Sequence, residues 1–335
     1  MKSILTGKKI LVTGGSGSIG KEIVKQSLSN GASFVRIFSN DENGLYETEI
    51  EFGKSKKIEY VIGDIRNSEI VESIVQDIDI VFHTAALKHV DQCELNPFEA
   101  ITINIIGTKN ICRSAIKSSV SKVINISTDK AVNPIGVLGS TKLLTEKLIA
   151  AESSHSNDKT IFSSVRFGNV LNTRGSIIPR IENQILSGGP VTLTDKRMVR
   201  FFMTKSQAVD LIFEATEFAK GGETFILKMP MILLDDLFET MKDILSKKYN
   251  LKSTSIETKI IGIRPGEKII EYLLTDFEME HVLETEKFFI MPSMFTPIKD
   301  RKYSNAKKPK NLENYFKNLK PISKNEIKSM LKEIY

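Results

Sequence analysis

The segment Thr13-Gly14-Gly15-Ser16-Gly17-Ser18-Ile19-Gly20 follows directly on an apolar run, Lys9 to Thr13, and leads into Ile19, Ile23, Val24 and Leu28 at helical spacing. A strand, a glycine turn and an amphipathic helix in that order admit few folds. Glycines at 14, 17 and 20 permit a tight turn and close backbone approach. The helix start then offers free N–H groups and a positive dipole end to a pyrophosphate. Gly31 supplies a stop for this helix. Three glycines alone would be an ordinary loop; in this setting they predict a dinucleotide site built from Gly14, Gly17, Ser18, Ile19 and Gly20.

Further β-branched runs at Phe34 to Ser39, Ile58 to Gly63, Ile78 to Thr84, Val120 to Ser127 and Ile161 to Val170 alternate with helical periodicity. Strands this apolar are buried on both faces, which predicts an α/β chain with a Rossmann-type, doubly wound parallel sheet. A length of 335 residues exceeds one ordinary core. We expect an NAD(P)-binding domain over 1–170, with later segments returning to it. After it Gly175, Pro179, Gly188, Gly189 and Pro190 break the rhythm, and a smaller substrate-binding lobe is expected over 171–300. Residues 301–335 read as a basic C-terminal extension ending in a short helix, opened by a capping box at Ser323 and Glu326 after Pro321.

Charge and cysteine content narrow the function classes. Lys plus Arg exceed Asp plus Glu by 47 to 41, and the basic residues are dispersed. That favours an anionic small substrate over nucleic acid, and the densest run, Lys302 to Lys320, reads as a solvated surface. Cys93 and Cys112 form neither a disulfide framework nor a metal cluster with the four histidines, so no metal is expected. No signal-peptide pattern precedes the first strand, and no apolar run reaches the roughly 20 residues that span a bilayer. The expectation is a soluble, cytoplasmic protein with no membrane partner.

The strand ends carry the chemistry. After the second strand stand Ser39 and Asn40, where an NAD-specific fold often has a carboxylate for the ribose hydroxyls. Arg36 or a nearby lysine is a candidate partner for a 2'-phosphate, while Asp41 or Glu42 could reach a ribose; the reading leans to NADP over NAD. Asp64-Ile65, ending the third strand, either flanks the adenine or is a turn. Ser127-Thr128-Asp129-Lys130 ends the fifth strand, and Lys142 follows in a helix that starts after Pro134. An acid beside a base at a strand end can divide a proton-transfer task, or be no more than a solvated ion pair.

Ser127 to Pro134, followed by Gly139-Ser140-Thr141-Lys142, resembles the UDP-N-acetylglucosamine 4,6-dehydratases, of the extended short-chain dehydrogenase/reductase superfamily, that serve polysaccharide and flagellin-sugar biosynthesis. The likeness continues through Thr84 to Val90, Glu94 to Pro97, Val165 to Val170, Gly188 to Thr192, Arg200 to Met203 and Arg264 to Lys268. The resemblance implies a tightly bound NADP or NAD that accepts hydride from C4 of the sugar and returns it to C6. In that scheme Lys130 removes the C5 proton and Asp129 protonates the departing 6-hydroxyl. Lys142 matches the lysine that assists a tyrosine four residues earlier, but that position is Leu138. Asp129, Thr128 or a water would then take the 4-hydroxyl proton. Ala85, Ala86 and Lys88 match positions beside the cofactor, and Lys88 and His89 a site beside nicotinamide and sugar. Asn169, Thr192, Arg200 and Arg264 match positions that grip a UDP moiety, Arg being suited to a pyrophosphate by its planar fork. Glu267 binds a ribose hydroxyl or caps a helix. The resemblance also implies a homo-oligomer, a dimer or a hexamer.

Two competing readings are a UDP-hexose 4-epimerase, which needs hydride transfer at C4 alone, and a non-catalytic dinucleotide sensor. The Asp129-Lys130 pair argues for dehydration over epimerisation, and its retention with Lys142 argues against the sensor.

Overall fold

The computed structural model describes residues 3–156, 159–251, 256–295, 303 and 305–335. Lys302, the start of the basic run, lies outside them. Among the described residues the main sheet is nine-stranded, in the order β13-β14-β10-β6-β5-β4-β1-β2-β3. Its strands are β1 (Lys9–Thr13), β2 (Phe34–Ser39), β3 (Ile58–Ile62), β4 (Ile80–His83), β5 (Lys122–Thr128), β6 (Ile161–Phe167), β10 (Thr224–Leu227), β13 (Leu283–Glu284) and β14 (Phe288–Met291). All pair in parallel except β14 and β13 at one edge. The run β3-β2-β1-β4-β5-β6 is the Rossmann order, and its direction reverses between β1 and β4.

Alternate strand residues explain why the runs are apolar throughout. Ile10 and Val12 of β1 enter one core with Ile23 and Val24, whereas Leu11 enters another with Phe38, Val81, Val123 and Phe162. Helices α1 (Ser18–Ser29), α2 (Glu42–Phe52), α3 (Ser68–Val75), α4 (Val90–Leu95), α5 (Pro97–Ile101), α6 (Thr108–Lys117) and α7 (Val137–His155) connect these strands. A π-helical turn over Thr102–Gly107 joins α5 to α6. Gly31, at φ +83°, ends the α1 turn as expected.

A second lobe holds α8 (Ile177–Leu186), α10 (Leu234–Lys248) and two small sheets. These are β11 (Met231–Leu233), β9 (Val199–Met203) and β7 (Asn169–Val170) in one, and β12 (Thr258–Ile260) with β8 (Val191–Leu193) in the other. The chain crosses between lobes repeatedly: α9 (Lys205–Phe218), β10, β13 and β14 all belong to the main sheet and its core. After α11 (Asp276–His281), α12 (Leu312–Asn318) buries Leu312 against that core. The last helix, α13 (Lys324–Leu331), carries the Ser323–Glu326 capping box and sinks Ile327 and Leu331 into the second lobe. Residues 312–331 are therefore packed into both lobes by their apolar side chains, while Lys307, Lys308, Lys310, Lys317 and Lys320 stay exposed, as a solvated run would. Apolar spacing in α13 signals burial that the basic composition hides.

Candidate active site

A cleft of about 510 Å³ opens at the carboxyl ends of the main strands, where the strand order reverses. Its first wall is the glycine turn. Gly14 takes φ +66°, and a Cβ there would sit 2.8 Å from the Ala85 backbone nitrogen. A Cβ on Gly20 would lie 2.4 Å from the Gly14 carbonyl oxygen. Gly17 caps α1 without a side-chain hydrogen bond, and no acidic residue stands in the first turn. The donors and dipole of that helix start thus face the cleft uncompensated, which fits a dinucleotide pyrophosphate. Gly14, Gly17, Ser18, Ile19, Gly20, Ser39, Asn40, Asp64, Ile65, Ala85, Ala86, Lys88 and Lys142 all line the cleft, and so do His89 and Asn169.

At the β2 end, the Ser39 and Ser16 hydroxyls share a 2.7 Å hydrogen bond. Asp41 caps α2 through the Gly44 N–H and meets Arg174, whose loop comes from beyond β7. The Arg174 hydrogen bond holds the Asp41 carboxyl below its ordinary value, aided by the Gly44 bond. Arg36 points elsewhere: it binds Glu59 and the carbonyls of Ile74 and Gln76, so it does not serve a 2'-phosphate in the cleft. Its β2 position sends its side chain toward α3. Asp64 lines the cleft and closes a turn with Arg66, whose hydrogen bond lowers its pKa.

At the β5 end, Thr128 and Lys130 line the cleft and Asp129 lies behind them, with its side chain fully buried. The Thr128 hydroxyl donates to Asp129 Oδ1 at 3.0 Å, and Lys130 Nζ donates to the same oxygen at 3.1 Å. Asp129 Oδ2 is buried without a hydrogen-bond partner. Glu271 stands 3.5 Å from Lys130 Nζ. Burial works against the Lys130 ammonium, but the Asp129 and Glu271 carboxylates outweigh it and raise its pKa above the usual lysine value. Lys142 differs: burial pushes its pKa down to about 8, with Glu146 opposing. Leu138, one turn before Lys142 on α7, also lines the cleft and puts a hydrocarbon where a phenol would act. The Lys88 ammonium donates to the Arg174 carbonyl, and burial lowers its pKa.

Thr192, Arg200, Arg264 and Glu267 do not line this cleft. Arg200 donates to the carbonyls of Val199, Lys268 and Ile269, bracing the 268–269 segment. Arg264 pairs with Glu267 and, across to α4, with Asp91. Thr192 receives Arg180 and Gln184. Arg180 has a lowered pKa, from burial and then from the positive charge of Arg264, so these two guanidinium groups share one neighbourhood. Asn169 uses its amide on the Phe201 carbonyl.

Sequence reasoning missed Arg174, Arg180 and Glu271. Arg174 meets Asp41 across 133 positions, which no local spacing signals. Glu271, three residues after Lys268 in a segment already singled out, could have been found.

The pattern of a family described as polysaccharide biosynthesis proteins matches residues 10–293. An uncharacterized membrane protein of Methanocaldococcus jannaschii is 48% identical over 98% of this chain and 96% of its own. Among the described residues, no helix is long and apolar enough to cross a membrane. The capsular polysaccharide biosynthesis protein CapD of Staphylococcus aureus is 42% identical over 85% of this chain, which spans 48% of CapD. A UDP-glucose 4-epimerase of Rickettsia bellii is 37% identical over 97% of this chain and 95% of its own. Among solved structures, Pen from Bacillus thuringiensis superposes with TM-score 0.89 at 42% identity, covering 98% of both chains. DesIV, a dTDP-glucose 4,6-dehydratase from Streptomyces venezuelae solved with NAD, shares the fold at TM-score 0.71 and 21% identity, over 79% of this chain and 88% of its own.

Proposed function

This chain belongs to the family of polysaccharide biosynthesis proteins, and we propose that it is a nucleotide-sugar-modifying enzyme, specifically a UDP-N-acetylglucosamine 4,6-dehydratase with a recycled dinucleotide. The observation that carries this reading is the acid-base set at the end of β5. Thr128 and Lys130 face the cleft with Asp129 linked to both, while Leu138 removes phenol chemistry. Eliminating water across C5 and C6 needs a base and an acid beside the sugar. Epimerisation at C4 needs a group for the 4-hydroxyl proton, but no base for C5 and no acid for the 6-hydroxyl.

The dinucleotide, when bound, supplies hydride acceptance from C4 and hydride return to C6. The protein's residues handle the protons. Asp129, reached through the Thr128 hydroxyl, takes the 4-hydroxyl proton and passes it to the departing 6-hydroxyl. Lys130 takes the C5 proton and returns it after the hydride arrives, so that one water leaves and both side chains are restored. Lys142, poised near neutrality, holds the nicotinamide ribose. NADP is the proposed cofactor, because β2 ends on Ser39 and Asn40, and Asp41, which lines the cleft beside them, already carries Arg174 as a counter-cation. Arg180 and Arg264 are the proposed cationic grip on the UDP phosphates. We also propose a homo-oligomer, its contact face including the exposed Leu95, Phe98 and Ile101.

The test is incubation of the protein with UDP-N-acetylglucosamine in deuterium oxide, followed by proton NMR and mass spectrometry. A 4-keto-6-deoxy product, lighter by one water, is expected. The similarity to proteins named UDP-glucose 4-epimerase favours a second reading; conversion to the galacto isomer without loss of mass would establish it and overturn the first.

A further inference from the structure

Behind Lys130, on the side away from the cleft, lies a second cavity of about 10 Å³, close to the size that holds one water. Lys130 and Leu138 form the wall it shares with the cleft, and its other polar lining is Glu94, Lys268 and Glu271. Glu271 is 3% exposed. Its Oε1 stands 3.5 Å from Lys130 Nζ, and its Oε2 stands 3.8 Å from Lys268 Nζ with no hydrogen-bond partner. Lys268 in turn donates to the Val132 carbonyl, which ties it to the segment following Lys130. Asp129, Lys130, Glu271 and Lys268 therefore form a row of alternating charge with Lys130 between two carboxylates.

We propose that Glu271 is a positioning residue that fixes, from behind, when Lys130 holds its proton, with Lys268 as its counter-cation. The proposal deepens the dehydratase reading and rests on it for its catalytic meaning. A base that abstracts a carbon-bound proton must first be neutral, and two carboxylates at contact distance oppose that. Of the two, Asp129 changes charge when it takes up the 4-hydroxyl proton. Glu271, neutralised in part by Lys268, provides the constant field against which that change acts. Once Lys130 has given its resting proton to solvent, uptake of the 4-hydroxyl proton by Asp129 keeps it neutral until it takes the C5 proton, and transfer of the Asp129 proton to the departing 6-hydroxyl restores the carboxylate that stabilises the ammonium so formed. The other charges around Lys130 are Arg200, from β9, and Glu94, from α4 across the cavity. Glu94 accepts the Val137 N–H, which anchors it at the start of α7.

The two partners give opposite signs. Removing the Glu271 charge takes a stabilising anion from the Lys130 ammonium, so Lys130 loses its proton at lower pH. Removing the Lys268 charge leaves Glu271 acting on Lys130 alone, so Lys130 keeps its proton to higher pH. Competitive acetylation with trace acetic anhydride across a pH series, read lysine by lysine by mass spectrometry, measures this without any substrate. Glu271→Gln should speed labelling of Lys130 tenfold or more at a fixed pH below its midpoint, and Lys268→Met should slow it, with Lys142 unchanged in both. In the sugar assay the acidic limb of the turnover profile should move to lower pH in Glu271→Gln, and Glu271→Asp should restore it. Lys130 labelling that ignores both substitutions would overturn the proposal. A labelling shift in a protein that does not dehydrate the sugar would leave the coupling standing and overturn the dehydratase reading instead. If Glu271→Gln does not fold, the Lys268→Met arm decides alone.

Discussion

Arg174 and Asp41 close an ion pair across the mouth of the cleft, Nη2 to Oδ2 at 2.5 Å. The backbone of Arg174 is tied as well: its N–H donates to Ser18 Oγ at 2.8 Å and its carbonyl receives Lys88 at 2.9 Å. One residue of the loop after β7 thus fastens to three segments of the nucleotide wall. A cofactor lying along Ser18 and Ser39 would have to pass this strap to leave.

Arg174→Ala should therefore speed cofactor release. The arginine side chain is 66% exposed, so solvent screens the pair, and exposed pairs are worth about 0.2–1 kcal/mol. The expected gain in release rate is about 1.4- to fivefold, measured by fluorescence on displacing bound reduced dinucleotide. Asp41 is held below its ordinary pKa, so its contribution is present above that value and lost only as pH falls through the lowered one. The effect should be the same in mildly acidic and mildly basic buffer. An unchanged release rate would remove the strap from the account.

Gly20→Ala should abolish tight cofactor binding. The new methyl would meet the Gly14 carbonyl oxygen at 2.4 Å, a backbone atom that cannot turn aside. Opening the turn to admit it costs roughly 1–3 kcal/mol, or about five- to a hundredfold in affinity. Isothermal titration with the dinucleotide would show it, and wild-type affinity would mean the turn is softer than its contacts imply.

Lys142→Met should stabilise the cofactor-free protein while harming turnover. The folded state lowers this lysine from 10.5 to about 8. Below that value the unfolded chain and the folded one both carry the charge, and the folded one bears its full burial penalty, at most about 3 kcal/mol. Between pH 8 and 10.5 the unfolded chain binds more protons, so wild-type stability should rise with pH through that window. Urea titrations at several pH values would reveal the slope in the wild type and its loss in the variant.

Lys130→Ala should lower turnover by about 10²–10⁴-fold with cofactor affinity unchanged. Equal loss of cofactor binding would show that Lys130 acts in the nucleotide site and not on the sugar.

Arg166→Met should destabilise the whole molecule. Arg166 is 1% exposed and pairs with Glu146 at 2.6 Å and Glu278 at 2.8 Å. Its removal strands two carboxylates in the core, and a broken buried pair costs roughly 3–5 kcal/mol. Chemical denaturation would measure it, and a loss under about 1 kcal/mol would show that the carboxylates find water or take up protons.

What was legible in the sequence was what depends on near neighbours. The β1 turn and α1 could be read because Gly14, Gly17 and Gly20 must stand at fixed offsets for the backbone to pack, and Ser323 with Glu326 had to be three apart to cap α13. Leu138 was visible as a departure only because Lys142 marks its register on one helix face. The Arg174 strap and the Arg180–Arg264 neighbourhood depend on long crossings of the chain, and side-chain type alone does not encode where such crossings return. Asp129 was placed at the correct strand end, yet its burial behind Thr128 depends on Gly168 across the chain, where a Cβ would stand 2.9 Å from Asp129 Oδ2. The packing of residues 312–331 into both lobes was likewise masked by their charge.

The interleaving of the lobes bears on how this molecule could be dissected. Cutting after residue 170 would take away β10, β14 and β13, and with them the hydrogen-bonding neighbour of β6. The fragment would keep every glycine of its nucleotide turn but carry a long, apolar, unprotected sheet edge, the kind that recruits other chains. A reporter built on the first half alone would thus aggregate before it could bind, and a chimera exchanging the second lobe would need several junctions rather than one.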